Sequence, residues 1–252
     1  MHLPNHTRSP GLASALFVLC LWQSVAWLQL VPPYLLPGPT AIATSLWGDR
    51  ALLVNHVAAT LLIALTGFFM ALAFATTSAW LMQLFPQVRR IAYPWLVVSQ
   101  AVPVIFVFPL LLLWFGFSDL PRVLIVALLS FFPIAVNLAD SMQRCNPDLL
   151  LALRSMGTRR WQLVRRVRFM AALPDYFSGM RIAATYCVMG AVIAEWLGAS
   201  RGLGVYMLRA YQSFTPARVF AAIVLIVLLT LLLVFAVRQA ERIFTPWQRR
   251  SI

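Results

Sequence analysis

Six apolar stretches set the plan of this chain: residues 12–31, 51–84, 93–115, 122–137, 176–198 and 217–237. A helix rises about 1.5 Å per residue, so about twenty apolar residues cross a hydrocarbon layer of roughly 30 Å. The pattern predicts an all-α membrane protein of about six transmembrane helices. The stretch 51–84 exceeds one membrane thickness and is expected to tilt or to project beyond the bilayer.

The interruptions define the boundaries. Pro32, Pro33, Pro37 and Pro39 lack N–H donors, so 32–40 is expected to be an extended external loop, with Thr40 capping a short interfacial helix over 41–47 that ends at Trp47. Residues 85–90, with Pro86, Arg89 and Arg90, read as a short turn. Within 93–115, Pro94, Pro103 and Pro109 break the helical hydrogen bonding. Irregular backbone at membrane depth is tolerated only against protein or a water-filled cavity. Pro103 and Pro109 are therefore candidates for a pathway wall, with an ordinary packed kink as the competing reading. Gly198, Gly202 and Gly204 mark an outer excursion after the fifth span, with a short helix over 205–212, and Pro216 opens the last span. The chain divides into a tail over 1–11, a first span and external loop over 12–50, a core over 51–245 holding a polar loop at 144–174, and a second tail over 246–252.

That polar loop contains NPDLLLALRSMGTRRWQLVRRVRFMAALP, residues 146–174, with six arginines between Arg154 and Arg168. Asn146 before Pro147 is a helix-start signal, and Gly157 a stop, since glycine enters the left-handed conformation at little cost. At 100° per residue, Leu149, Ala152, Leu153 and Met156 share one face, leaving Leu150, Leu151 and Arg154 on the others. Surplus leucines beside an arginine suggest a partner's groove. Thr158 could cap a second helix whose Leu163, Val164, Val167, Met170 and Ala171 form one stripe, with Gln162, Arg165, Arg166 and Phe169 opposite and Pro174 as its limit. Binding of the basic loop to anionic lipid is the competing reading.

Composition places 62% hydrophobic and 11% charged residues in the membrane class. A net charge of +13 could indicate nucleic acid, but the charges lie between apolar runs, so nucleic acid is not an expected partner. With both termini inside, fourteen arginines (8, 89, 90, 144, 154, 159, 160, 165, 166, 168, 238, 242, 249, 250) fall in inner segments and five (50, 122, 201, 209, 218) in outer ones. That is the bias that orients a membrane protein. A cleaved signal peptide competes for the first stretch, with Ser24 and Ala26 as small residues before a cut; continuation of the apolar run to Val31 favours retention. All twenty basic residues are arginine. Without lysine the chain has no P-loop lysine, so if ATP drives it, a partner subunit binds the ATP. Cys20, Cys145 and Cys187 are too scattered for a disulfide framework or metal cluster, and His2, His6 and His56 carry no pattern.

Ionisable groups inside spans are costly, which singles out Glu195 and Arg181. Glu195 reads either as an outer gate or as a structural ion pair with Arg201 or Arg209. A membrane-embedded enzyme would need a catalytic pair, and these two stand at opposite ends of one helix, so no catalytic residue is assigned. A scaffold protein would not need the broken third span.

The loop resembles the "EAA" loop of ABC importer permeases: Glu-Ala-Ala, three residues, Gly, and a later Leu-Pro. Here the pattern falls on Leu151, Ala152, Leu153, Gly157, Leu173 and Pro174, so Leu151 replaces the glutamate and Leu153 the second alanine. SQAVPVIFVFPLLLLWFGF (99–117) and AEWLGASRGLGVYMLRA (194–210) are similar to the third span and the outer segment of permeases importing nitrate, sulfonates, taurine and thiamine-related pyrimidines. The resemblance implies a type I ABC importer permease fold in the bacterial inner membrane, with two short cytoplasmic coupling helices. It implies docking of ABC ATPase subunits, which hydrolyse the ATP, on Leu151, Ala152, Leu153, Arg154, Gly157, Arg165, Arg166, Phe169 and Pro174. It also implies a second permease copy, a periplasmic substrate-binding protein, membrane lipid around the spans, no cofactor or metal on this chain, and a pathway or gate at Pro103, Pro109, Glu195, Gly198, Gly202 and Gly204. Phe106, Phe108, Trp114, Phe131, Phe132 and Tyr186 line the pathway or pack between helices.

Overall fold

A computed structural model describes residues 9–247; the termini carrying His2, His6 and Arg8, and Arg249 and Arg250, lie outside the described residues. Helices follow in the order α1 (Ser9–Trp27), α2 (Pro39–Gly48), α3 (Arg50–Leu84), α4 (Pro86–Ser99), α5 (Val104–Phe115), α6 (Leu120–Gln143), α7 (Pro147–Ser155), α8 (Arg160–Leu163), a π-helical turn (Val164–Arg168), α9 (Phe169–Trp196), α10 (Leu203–Gln212) and α11 (Pro216–Phe244). Among the described residues, four helices are long and apolar enough to cross a membrane: Arg50–Leu84, Leu120–Gln143, Arg160–Trp196 and Pro216–Phe244; Ala13–Trp27 and Phe106–Phe115 are shorter apolar segments.

Several expected boundaries shift for identifiable reasons. Helix α1 stops at Trp27 rather than continuing to 31, because Gln29 adopts a left-handed conformation (φ 51°) and the Leu30 N–H turns back to the Val25 carbonyl, a Schellman-type stop without glycine. The segment after it holds a turn closed by the Leu35 N–H on the Pro32 carbonyl. Helix α2 starts one residue before Thr40: Gly38 is its N-cap, and the Thr40 N–H donates to Gln23 Oε1 at 3.1 Å. Residues 86–90 are helical, since Pro86 at the first position is pre-set for a helix and loses no needed donor. The third span is two helices, with Gln100–Pro103 between them and Pro103 capping α5.

Pro133 and Pro174 do not end helices. Helix α6 runs through Pro133 to Gln143, and the Asn137 amide donates to the Pro133 carbonyl at 2.7 Å. Helix α9 runs through Pro174 and joins the π turn and α8. In a packed bundle neighbouring helices offset the one bond a proline removes. The π turn also explains a shift of face: its extra residue rotates the helix, so Leu163 and Val164 are buried, Met170 and Ala171 are exposed, and burial resumes at Ala172, Leu173, Tyr176 and Phe177.

Helices α3, α6 and α9 form the core, with α11 against α9 and α10 wedged between them. Their seams are built from small residues: Ala64, Gly67, Ala71, Ala75 and Ala79 recur along one face of α3, and Ala183, Ala184, Gly190, Ala191 and Ala194 are buried on α9. In lipid, burying apolar area between helices gains little, so close backbone approach and dispersion must hold them. Approach is tightest where a side chain would collide: a Cβ on Gly179 would lie 2.6 Å from the Pro133 carbonyl oxygen, and one on Gly67 2.5 Å from Val126 Cγ1. Inside the bundle Arg181 of α9 is paired with Glu241 of α11, and it also donates to Ser178 Oγ at 2.6 Å.

Gly179→Ala should lower stability by about 1–3 kcal/mol through overpacking against a rigid carbonyl. Gly48→Ala, at a helical position with open space around it, should be neutral or stabilising. Thermal unfolding of the two purified variants in detergent checks the contrast.

Candidate functional site: the Arg-rich loop and the far-end carboxylate

The loop helix α7 is defined by its ends. Asn146 Oδ1 accepts the Asp148 N–H at 2.9 Å, and Pro147 stands at the first helical position. Asp148 in the first turn and Arg154 in the last complement the helix dipole. Gly157 is left-handed (φ 83°); its N–H donates to the Arg154 carbonyl at 2.9 Å and the Thr158 N–H to the Leu153 carbonyl at 3.1 Å, a complete Schellman stop. Thr158 is thus spent on closing α7. The cap of α8 is Arg159, whose N–H is taken by Gln162 Oε1 at 3.1 Å.

The face α7 turns inward differs from the expected one. Leu150 is 7% exposed, whereas Leu149, Leu151 and Met156 are 47%, 61% and 80% exposed. Leu149, Ala152 and Met156 still form one helical stripe, but with Leu151 and Arg154 it lies open, and Leu153 is half-buried. Arg165 and Arg166 are also exposed on the π turn. Phe169 turns inward, its ring 5.4 Å from Trp80 and 5.9 Å from Tyr176, and Pro174 lies half-buried within α9. Trp80 also meets Trp161 at 5.1 Å, so one aromatic residue of α3 stands between the two sides of the loop segment. Nothing in the local sequence around Trp80 signals this; it follows from the α3–α9 register.

At the other end of α9, Glu195 is 1% exposed and pairs with neither Arg201 nor Arg209. The start of α10 explains it. The Gly202 N–H donates to His56 Nδ1 at 2.9 Å, the Leu203 N–H to Thr60 Oγ1 at 2.8 Å and the Gly204 N–H to Glu195 Oε2 at 2.7 Å. Three of the donors that a helix start leaves unpaired are therefore met by side chains of α3 and α9. Gly202 (φ 135°) is required twice, by its backbone conformation and because a Cβ would overlap the Glu195 carboxyl. Gly204 is packed equally closely against the Val192 carbonyl, and Gly198 against the Phe117 ring. Arg122, buried, donates to the Gly198 carbonyl at 2.9 Å and to Asp119 Oδ1 at 2.5 Å. The Tyr206 hydroxyl donates to Asp49 Oδ2 at 2.7 Å, and Arg218 Nε pairs with the same oxygen at 2.8 Å. Burial first, then Asp49, push the Tyr206 phenol above its ordinary pKa, so it remains a donor. His56 and Thr60 carried no pattern in the sequence; the fold alone brings them to α10.

The structure does not gather the aromatic candidates in one place. Phe108 is buried with Ile125 and Ala194, Phe131 and Phe132 pack edge-on at 5.4 Å, and Phe106 and Trp114 face outward with Pro103 and Pro109.

Glu195→Ala leaves the buried Gly204 N–H without an acceptor, a cost of roughly 1–3 kcal/mol, so amide exchange in 203–212 should accelerate about tenfold or more. Glu195→Gln keeps an acceptor and should retain most of the protection. Unchanged exchange in Glu195→Ala would remove the capping role.

The model of the binding-protein-dependent transport system inner membrane component family matches residues 63–250. The formylaminopyrimidine transport permease protein ThiX of Halalkalibacterium halodurans is 35% identical over 94% of both chains. The riboflavin transport system permease protein RibX of Chloroflexus aurantiacus is 33% identical over 92% of this chain and 88% of its own, and the taurine transport system permease protein TauC of Escherichia coli is 31% identical over 91% and 86%. An inward-facing structure of the MetNI methionine ABC transporter superposes with a TM-score of 0.69 over 79% of this chain and 98% of that chain, at 20% identity, a likeness of fold. The chain belongs to the binding-protein-dependent transport system inner membrane components: it is the permease of an ABC importer, a multi-pass inner membrane protein and not an enzyme.

Proposed function

We propose that α7 is the coupling helix on which ABC ATPase subunits dock, and that this chain, with a second copy of itself, forms the pathway for a small polar solute handed over by a periplasmic binding protein. ATP is bound and hydrolysed by the ATPase subunits, in keeping with a chain that has no lysine. The observation that carries the reading is the open stripe on α7: large apolar side chains on a capped, pre-formed helix, next to arginines, in a loop between membrane helices. Six spans are completed by α1 and by the α4–α5 pair, lipid surrounds them, and both termini lie in the cytoplasm. The arginine asymmetry supports that orientation.

Leu151 stands where the family pattern has a glutamate, and it is exposed rather than folded inward. A leucine there offers a groove only apolar contact, so the ATPase groove is apolar opposite Leu151 and the polar contact passes to Arg154. Arg165 and Arg166 extend the same basic rim. The solute belongs to the small polar class; formylaminopyrimidine, riboflavin and taurine are named for relatives of this chain. Glu195, Gly198, Gly202 and Gly204 set the position of α10 at the outer mouth, and Pro103 and Pro109 lie along the wall.

Combined Leu149→Asp and Met156→Asp substitution should cut recovery of the ATPase subunit with the purified permease about tenfold or more, because a few buried anchors carry most of an interface's energy. Gly157→Pro, which cannot adopt the left-handed stop, should act in the same direction. Undiminished co-purification in both variants would overturn the docking assignment.

A further inference from the structure

Gln83 is 2% exposed, in the last turn of α3. A buried amide is costly unless both its oxygen and its nitrogen find partners, and Gln83 finds them on different elements. Its Oε1 accepts from Arg168 Nη1 at 2.5 Å, and its Nε2 donates to the Ala139 carbonyl inside α6 at 3.0 Å. Its main-chain carbonyl, left over at the helix end, accepts from Arg160 Nη2 at 3.2 Å. Arg160 opens α8 and Arg168 closes the π turn, so the segment that follows α7 holds the end of α3 at two points.

The Ala139 carbonyl also accepts from Arg89 Nη1 at 3.4 Å. Arg89 donates further to Gln143 Oε1 at 3.0 Å and faces Asp140 at 3.7 Å, while the Tyr93 hydroxyl donates to Asp140 Oδ2 at 3.0 Å. Arg89 and Tyr93 belong to α4, the first half of the broken span. The loop segment, α3, α6 and α4 therefore meet through one side-chain amide and one carbonyl. Packing of α3 on α6 is already secured by Gly67 against Val126, so adhesion of those helices does not require a buried amide.

We propose that Gln83 is the positioning residue that carries displacement of the coupling loop into α6 and the broken span. This rests on the reading of α7 as the ATPase dock. Apolar surfaces slide over one another with little directional resistance, whereas paired hydrogen bonds fix distance and angle. A push on α7 moves Arg168, Arg168 moves the Gln83 amide, and the amide moves the Ala139 carbonyl, to which α4 is tied through Arg89.

The test uses the full complex with its ATPase subunits in lipid nanodiscs. Spin labels are placed at Leu113→Cys on α5 and Val227→Cys on α11, both exposed, with Cys20, Cys145 and Cys187 replaced by alanine. The reading is the fraction of molecules whose label distance shifts on addition of ATP with vanadate, together with the ATP hydrolysis rate. Gln83→Met and Arg168→Met should each keep the ATPase subunits and the hydrolysis rate while lowering the shifted fraction about tenfold, the loss expected when a bond to a charged group is removed. The double variant should be no worse than either single one, because both act on one link, and Arg168→Lys should restore the shift. An undiminished shift in Gln83→Met, or losses that multiply in the double variant, would overturn the proposal. If Gln83→Met fails to accumulate, Gln83→Glu decides, since it keeps the Arg168 contact and loses the donor to Ala139: a lost shift supports the relay and an intact one overturns it. Failure of both to accumulate would also overturn it, by making Gln83 a folding residue. If wild-type permease retains no ATPase subunit, the docking assignment itself falls.

Discussion

Close approach of small residues between α3, α6 and α9 is the constraint on which the rest of this permease depends. In a bilayer, apolar side chains gain little by leaving lipid for protein, so the helices hold together only where backbones come near enough for dense dispersion contact. Gly67 against Val126 and Gly179 against the Pro133 carbonyl set that distance. Once it is set, the polar groups at both ends fall into register. Trp80 and Gln83 reach the loop segment at one end, and His56 and Thr60 reach the start of α10 at the other.

The two ends are of different kinds. The loop end presents side chains outward from a capped helix, with its apolar stripe open and its arginines exposed. The far end turns its polar groups inward: His56, Thr60 and Glu195 are spent on the backbone of α10, and Asp49 on Tyr206 and Arg218. A helix pinned by three side-chain acceptors moves with the helices that supply them. The start of α10 is thereby tied to α3 through His56 and Thr60 and to α9 through Glu195.

Much of this was legible in the residues. The apolar runs located the long helices, and Asn146, Pro147 and Gly157 located α7 to within a residue of its ends, because caps and left-handed stops are local chemistry. Proline misled at Pro174, expected to limit a helix: it lies inside a continuous one, where packing from neighbours offsets the missing bond. The stop after α1 depends instead on Gln29, a residue type with no special preference for that backbone. The π turn at Val164–Arg168 was invisible, and it reversed the assignment of Phe169 from an outer to an inner face. Glu195 was singled out as costly, but its backbone partner is the Gly204 N–H of a later segment, and periodicity within one helix carries no information about that. The spacing Ala64, Gly67, Ala71, Ala75, Ala79 was open to a reader looking for small residues at helical intervals.

On the proposed reading, α7 offers its open face to a soluble partner, and the segment that follows it is bonded to the end of α3 and, through Gln83, to α6. The measurement that bears most directly on this is short-range cross-linking from Met156→Cys, at the exposed tip of α7, in membranes containing the whole transporter with the three native cysteines replaced. The account predicts capture of an ATPase subunit from Met156→Cys and none from Tyr34→Cys in the external loop; capture from Tyr34→Cys with none from Met156→Cys would contradict it.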